Sequence, residues 1–189
     1  MSFSETMAGW FAMGETDPEL GARTGRTLRT TCALHATVRV ADIASFARST
    51  DHVATLHGAL DLAPIGHALH GEGQARLFAR NPAGAGKVLA YDLPFSHEGR
   101  SYYLAGRKVV DGGAPWRMWG ETTTLYARLH DGTDAQAPVV GAGVLRISAV
   151  GLLQTLTTCR GAGMVGYGRF FAGELWDSYG RRRARPAIA

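Results

Sequence analysis

The chain has 189 residues, 46% of them hydrophobic and 19% charged, enough to bury one core and to exclude wholesale disorder. Its 25 glycines follow no three-residue period, which excludes collagen, and with few lysines and many Thr, Val and Tyr they suggest turns and strands rather than a helical bundle. The net charge of +4 is carried by Arg181, Arg182, Arg183 and Arg185; the rest of the chain is neutral and has no basic stripe interleaved with aromatics, so nucleic acid is not an expected partner.

Residues 5–11 are a short apolar segment, and residues 12–26, with Gly14, Pro18, Gly21 and Gly25, read as a loop. Residues 27–41 alternate. Cys32, Leu34, Ala36, Val38 and Val40 share one face, and Thr31, His35, Thr37 and Arg39 share the other, as in a half-buried strand. Asp42 can cap one helical turn over 42–47. Further strands are expected near 53–60, 66–80, 87–96, 101–111, 116–130 and 139–148, separated by turn-forming Asn, Asp, Gly and Pro. No helix between them is long enough for a parallel crossover. The expected fold is therefore mainly β, a closed antiparallel barrel of about eight strands, lipocalin-like, since closure removes exposed sheet edges. Helices are expected at 148–160 and at 165–179, where Phe171, Leu175 and Tyr179 form a stripe flanked by Phe170 and Trp176. One barrel domain over 1–180 and a basic, disordered tail over 181–189 complete this picture.

Familiar chemical motifs fail on context. Gly161 to Gly166 matches G-x-G-x-x-G but follows a helical pattern instead of a strand, and Gly84 to Lys87 lacks the P-loop spacing. There is no G-x-S-x-G elbow and no C-x-x-C; Cys32 and Cys159 read as free, buried thiols. His67, His70 and Glu72 are the densest ionisable cluster, but strand alternation turns His67 away from the other two, and no metal site is expected. No cofactor is expected. No apolar run reaches the roughly 18 residues that span a bilayer, and no leader is evident, so the expected location is the cytoplasm.

The candidate site follows from period-2 counting. On 66–77 one face carries His67, Leu69, Gly71, Gly73, Ala75 and Leu77; on 139–148 Gly141 and Gly143 are in phase with Leu145 and Ile147. If those faces look inward, small residues leave room for one small ligand; alternatively the glycines mark bends or close strand contacts. On 116–130 Trp119 and Glu121 share the face of Leu125 and Ala127, and on 87–95 Tyr91 shares the face of Leu89, Leu93 and Phe95. A carboxylate in such a lumen is desolvated and suited to general acid or base work, or else is half of a buried pair with an arginine such as Arg107 or Arg146. Glu121 and Tyr91 are thus the candidate catalytic residues. Trp119, His67, Leu69, Gly71, Gly73, Leu125, Gly141 and Gly143 are the candidate substrate contacts. The direction of 101–111 is left open by its weaker alternation.

Four segments read together, Phe3 to Phe11, Trp119 to Tyr126, Gly143 to Ile147 and Gly168 to Tyr179, resemble the accessory β-rich region of some large bacterial GMC-type, cholesterol-oxidase-like oxidoreductases. The flavin-binding part is missing, so the resemblance implies only a domain that keeps company with apolar, sterol-like or polyketide-like molecules. Two functions follow as expectations. One is a cofactor-independent enzyme that holds an apolar polyketide- or terpenoid-like intermediate and promotes cyclisation or isomerisation. The other is a non-catalytic lipid carrier or a partner domain for a separate oxidoreductase. The expected partner is an apolar small molecule, with homo-oligomer formation open.

Overall fold

The computed structural model describes residues 1–81, 84, 86–110, 122–147 and 164–180. Eight antiparallel strands close into a barrel in simple up-and-down order: β1 (Ser2–Met13), β2 (Thr31–Arg39), β3 (Val53–Leu62), β4 (Gly66–Arg80), β5 (Lys87–His97), β6 (Arg100–Val110), β7 (Thr124–Asp131) and β8 (Val139–Ile147). β1 makes the closure, pairing with β2 from Ser2↔Arg39 to Trp10↔Thr31 and with β8 from Met7↔Ile147 to Met13↔Gly141. No helix of the described residues is long and apolar enough to cross a membrane.

The lumen is built by alternation. Phe3, Met7 and Phe11 of β1, Cys32, Leu34, Ala36 and Val38 of β2, and Leu56, Leu60 and Leu62 of β3 are all buried in one cluster. Leu89, Tyr91, Leu93 and Phe95 of β5 and Leu125, Ala127 and Leu129 of β7 join it, as their odd-face counting anticipates. Burial pushes the free Cys32 thiol up to about 12, which makes it an inert core residue. Cys159 and the expected helix at 148–160 lie outside the described residues.

The reading of 12–26 as a loop is overturned, because Pro18–Leu28 is a helix, α1. Asp17 caps it, accepting from the Glu19 and Leu20 N–H groups at 2.9 Å each, with Pro18 in the first turn. Gly21 and Gly25 are there for contact rather than for a turn. A Cβ at Gly21 would lie 2.1 Å from the Ala142 carbonyl oxygen, and one at Gly25 2.5 Å from that of Phe11. The helix therefore rides directly on the backbones of β1 and β8.

A second helix, α2 (Ile43–Arg48), connects β2 to β3 and is capped by Asp42, whose carboxylate takes the Ala44 and Ser45 N–H groups. A third, α3 (Met164–Leu175), continues as a wider π-turn over Trp176–Gly180. Tyr167, Phe170, Phe171 and Leu175 pack against the core cluster. α3 lies over the barrel end at which β1 begins and β8 finishes: its rings meet Phe3, Phe46 and Phe78 at centroid distances of 5.2 to 6.3 Å. Phe78 reaches α3 because β4 bulges between Arg76 and Ala79 and Phe78 adopts φ 57°, so that Leu77, Phe78 and Ala79 are all buried.

Candidate functional site

Three ionisable side chains stand inside the barrel near the α3 end. Glu5 is in phase with Phe3 and Met7 on β1, and Lys108 is in phase with Leu104 and Val110 on β6; they are 8% and 1% exposed. Tyr91 on β5 pairs with Gly106 in the ladder, two residues before Lys108, so the two side chains are diagonal neighbours on one inner wall. Glu5 belongs to the opposite wall, since β1 and β5 are four strands apart either way round the ring. The Tyr91 hydroxyl donates to Glu5 Oε1 across the lumen. Lys108 Nζ lies 3.9 Å from Glu5 Oε2 and 5.1 Å from the Tyr91 ring centroid.

The electrostatics follow from dryness. Burial depresses the Lys108 ammonium below the usual lysine range, with the Glu5 charge opposing that effect. Burial, reinforced by the charge and hydrogen bond of Glu5, raises the Tyr91 phenol well above its ordinary value. Two buried opposite charges at this separation do little for stability, because desolvation offsets most of their attraction. A phenol, an amine and a carboxylate around one point can donate a proton, accept one and hold a developing negative charge.

A buried imidazole sits at the same end. His52 is 8% exposed at φ 44°, its ring 4.7 Å from that of Phe170 and 5.4 Å from that of Phe46. Its Nδ1 is buried and has no hydrogen-bond partner among the described residues.

Of the residues singled out by sequence, Tyr91, Leu69 and Leu125 are buried in the core cluster. Trp119 and Glu121 lie outside the described residues. His67 is on the outside, its side chain 82% exposed and 3.6 Å from Asp61. The alternation that would have turned it inward is broken by the register shift between Leu60 and Leu62 and by Ala68 at φ 49°. Close contact accounts for the four glycines. A Cβ would stand 2.3 Å from the Pro94 oxygen at Gly71, 2.0 Å from the Asp92 oxygen at Gly73, 2.7 Å from the Phe11 ring at Gly141, and 2.4 Å from the Trp10 oxygen at Gly143.

Glu5 and Lys108 are the residues that sequence reading missed. Their signals were phase: Glu5 between Phe3 and Met7, and Lys108 between Gly106 and Val110. Arg107 reaches Asp92 at 2.7 Å, and Arg76 holds the other oxygen of Asp92 at 3.0 Å; Glu121, the partner expected for Arg107 or Arg146, lies outside the described residues. This clamp ties β4, β5 and β6 together, and Asp92 with burial pushes the neighbouring Tyr103 phenol up to about 12. Among the described residues no three His, Cys, Asp or Glu side chains converge as metal ligands. Against family models, curated proteins and solved structures, the chain gives no match.

Proposed function

We propose that the barrel is a cofactor-independent enzyme that takes an apolar, carbonyl-bearing intermediate of polyketide or terpenoid type and isomerises or cyclises it by acid–base chemistry. The observation that carries this reading is the Glu5, Tyr91 and Lys108 cluster in a mostly apolar core of the described residues. A folded barrel has no packing need for a buried carboxylate and amine, and hydrophobic residues of similar size often serve stability as well or better.

In this mechanism the Tyr91 hydroxyl and the Lys108 ammonium hold the substrate's carbonyl oxygen. The Glu5 carboxylate removes a proton from the adjacent carbon. The resulting enolate takes a proton at another carbon, giving an isomer, or attacks an electrophilic carbon of the same molecule, giving a ring. The apolar walls hold the chain folded, and proximity of the reacting ends supplies much of the rate. Trp119 and Glu121 remain candidates for packing and for a second proton transfer. A lipid carrier, the alternative, calls for a lumen without ionisable groups, which favours the enzyme reading here. A partner-domain role beside an oxidoreductase rests on the resemblance alone.

Proton abstraction can be measured before the natural substrate is known. Apolar ketones incubated with the protein in heavy water should exchange their α-hydrogens faster than in buffer. Glu5→Gln should slow that exchange by about 10²–10⁴-fold, the usual range for general acid–base catalysis. Ketones that bind but exchange no faster than in buffer would leave the barrel a carrier.

A further inference from the structure

We infer that Lys108 is a carbonyl-capturing amine, which forms a transient imine with an aldehyde or ketone held in the barrel. This rests on the proposed reading of the same site and adds a covalent step to it.

The first argument is residue choice. The chain has 18 arginines and only two lysines, Lys87 and Lys108. Lys87 pairs with Glu174 of α3 at the barrel end. Lys108 is buried, 1% exposed. Arginine makes the better buried ion pair, because its fork matches a carboxylate and its charge is less hydrated. It cannot lose its proton in a protein, whereas lysine can. A sequence that otherwise uses arginine almost throughout has lysine where an amine, and not merely a cation, is useful.

The second argument is geometry. The Lys108 to Glu5 separation of 3.9 Å is an ion-pair distance too long for a hydrogen bond. Glu5 Oε1 is already engaged by Tyr91, leaving Oε2 toward the amine. Glu5 Oε2 is thus placed to take a proton from the ammonium and free the amine when a carbonyl arrives. Burial lowers the basicity of this amine in the same direction.

The step balances without oxidant or reductant. The Glu5 carboxylate takes a proton from the Lys108 ammonium, Nζ attacks the carbonyl carbon, the C=O π pair moves to oxygen, and a proton passes from nitrogen to that oxygen to give a neutral carbinolamine. Glu5 then returns its proton to the carbinolamine hydroxyl, the C–O bond breaks, water leaves, and the nitrogen lone pair forms the C=N bond of a protonated imine that faces the Glu5 carboxylate. Water reverses the sequence and releases the product. Tyr91, beside both groups, donates to the carbonyl oxygen as charge develops on it.

The test treats the whole protein with decanal and sodium cyanoborohydride, which reduces an imine to a stable secondary amine. Peptide mass spectrometry then locates the adduct; besides the N-terminus only two lysines compete. Burial depresses the Lys108 ammonium and so enriches the free amine at this position. Labelling of Lys108 should therefore exceed that of Lys87, and excess decanol should suppress it. Lys108→Arg should lose the adduct while labelling of Lys87 and the N-terminus persists, and decanol binding to the unaltered protein is read by displacement of a hydrophobic dye. If decanol binds but Lys108 labels no faster than Lys87, imine formation is overturned while the apolar-ligand reading stands. If neither decanol nor decanal displaces the dye and Lys108 stays unlabelled, both fall.

Discussion

α1 and α3 pack on the same barrel in opposite ways. α1 touches it backbone to backbone through Gly21 and Gly25, and the Thr30 hydroxyl donates to the Phe11 carbonyl at 2.5 Å beside it. α3 is held by ring edges, by Leu175 and by the Lys87 to Glu174 pair, with Val165 and Trp176 left 70% and 69% exposed. A backbone contact made through glycine leaves little room for sliding, whereas a contact made by side-chain rings can repack. The glycine-mediated contact and the ring-mediated contact therefore differ in how closely the backbones approach. The polar cluster of Glu5, Tyr91 and Lys108 lies toward α3, whose Tyr167 meets Phe3 two residues before Glu5.

The strongest challenge to this contrast is Glu5→Leu. It strands the Lys108 charge and deprives the Tyr91 hydroxyl of its acceptor, and should cost about 3–5 kcal/mol in urea unfolding. Adding Lys108→Met should restore most of that loss, since a matched apolar pair needs no charge compensation. A harmless single change would mean that the polar end is not the dry environment inferred for it.

Gly21→Ala tests the α1 contact with a reversal of sign. Intrinsic propensity favours alanine in a helix by about 1 kcal/mol. Here the added methyl meets a carbonyl oxygen, so the variant should lose about 1–3 kcal/mol, as overpacked sites do. A stabilised Gly21→Ala would show that α1 can shift and that the two helices are less different than described.

Alkaline titration should report the polar end on its own. The raised Tyr91 phenol keeps its proton in the fold, so its contribution is complete below about pH 10, its unfolded value, and is lost as pH rises beyond. The depressed Lys108 works the other way: the unfolded chain binds the proton more readily, so stability rises with pH up to about 10.4. Urea midpoints should therefore climb toward pH 10 and then fall. Lys108→Met should remove the climb, and Tyr91→Phe should lessen the fall. Tyr103, held up to about 12, should be among the last phenols to ionise by absorbance.

The smallest change belongs to α3. Lys87→Met should alter global stability by no more than about 1 kcal/mol, because the pair it breaks is partly exposed. Hydrogen exchange over 164–180 should nevertheless rise while that of α1 stays unchanged. Equal acceleration in both helices would erase the distinction.

The barrel was legible because β2 and β7 bury alternate residues on one face, and the turns at His97 to Gly99 and Asp131 to Gly132 are punctuated by glycine. α1 was not, because glycine weakens a helical pattern in sequence, and the reason for Gly21 and Gly25 is a neighbour some 120 residues away in Ala142 and another in Phe11. Phase alone could have found Glu5, but only once β1 is extended back to Ser2. Lys108 was harder: β6 buries Ala105 as well as its neighbours Leu104 and Gly106, so alternation blurs just before the amine. His67 shows the converse, a clear period that one left-handed residue, Ala68, is enough to break.

Closure of the ring by the first and last strands sets the order in which the molecule can be made. β1 leaves the ribosome first, yet one of its two edges stays unpaired until β8 has been synthesised. Through that interval Met7 and Phe11 have neighbours on one side only, and such open edges invite pairing with other chains. The hydrogen bond from Tyr91 to Glu5 spans 86 residues, so this polar cluster forms only after the long-range pairings of the barrel. Growth conditions that slow synthesis between β1 and β8 should increase the insoluble fraction of this chain more than they would for a barrel whose first strands pair only with each other.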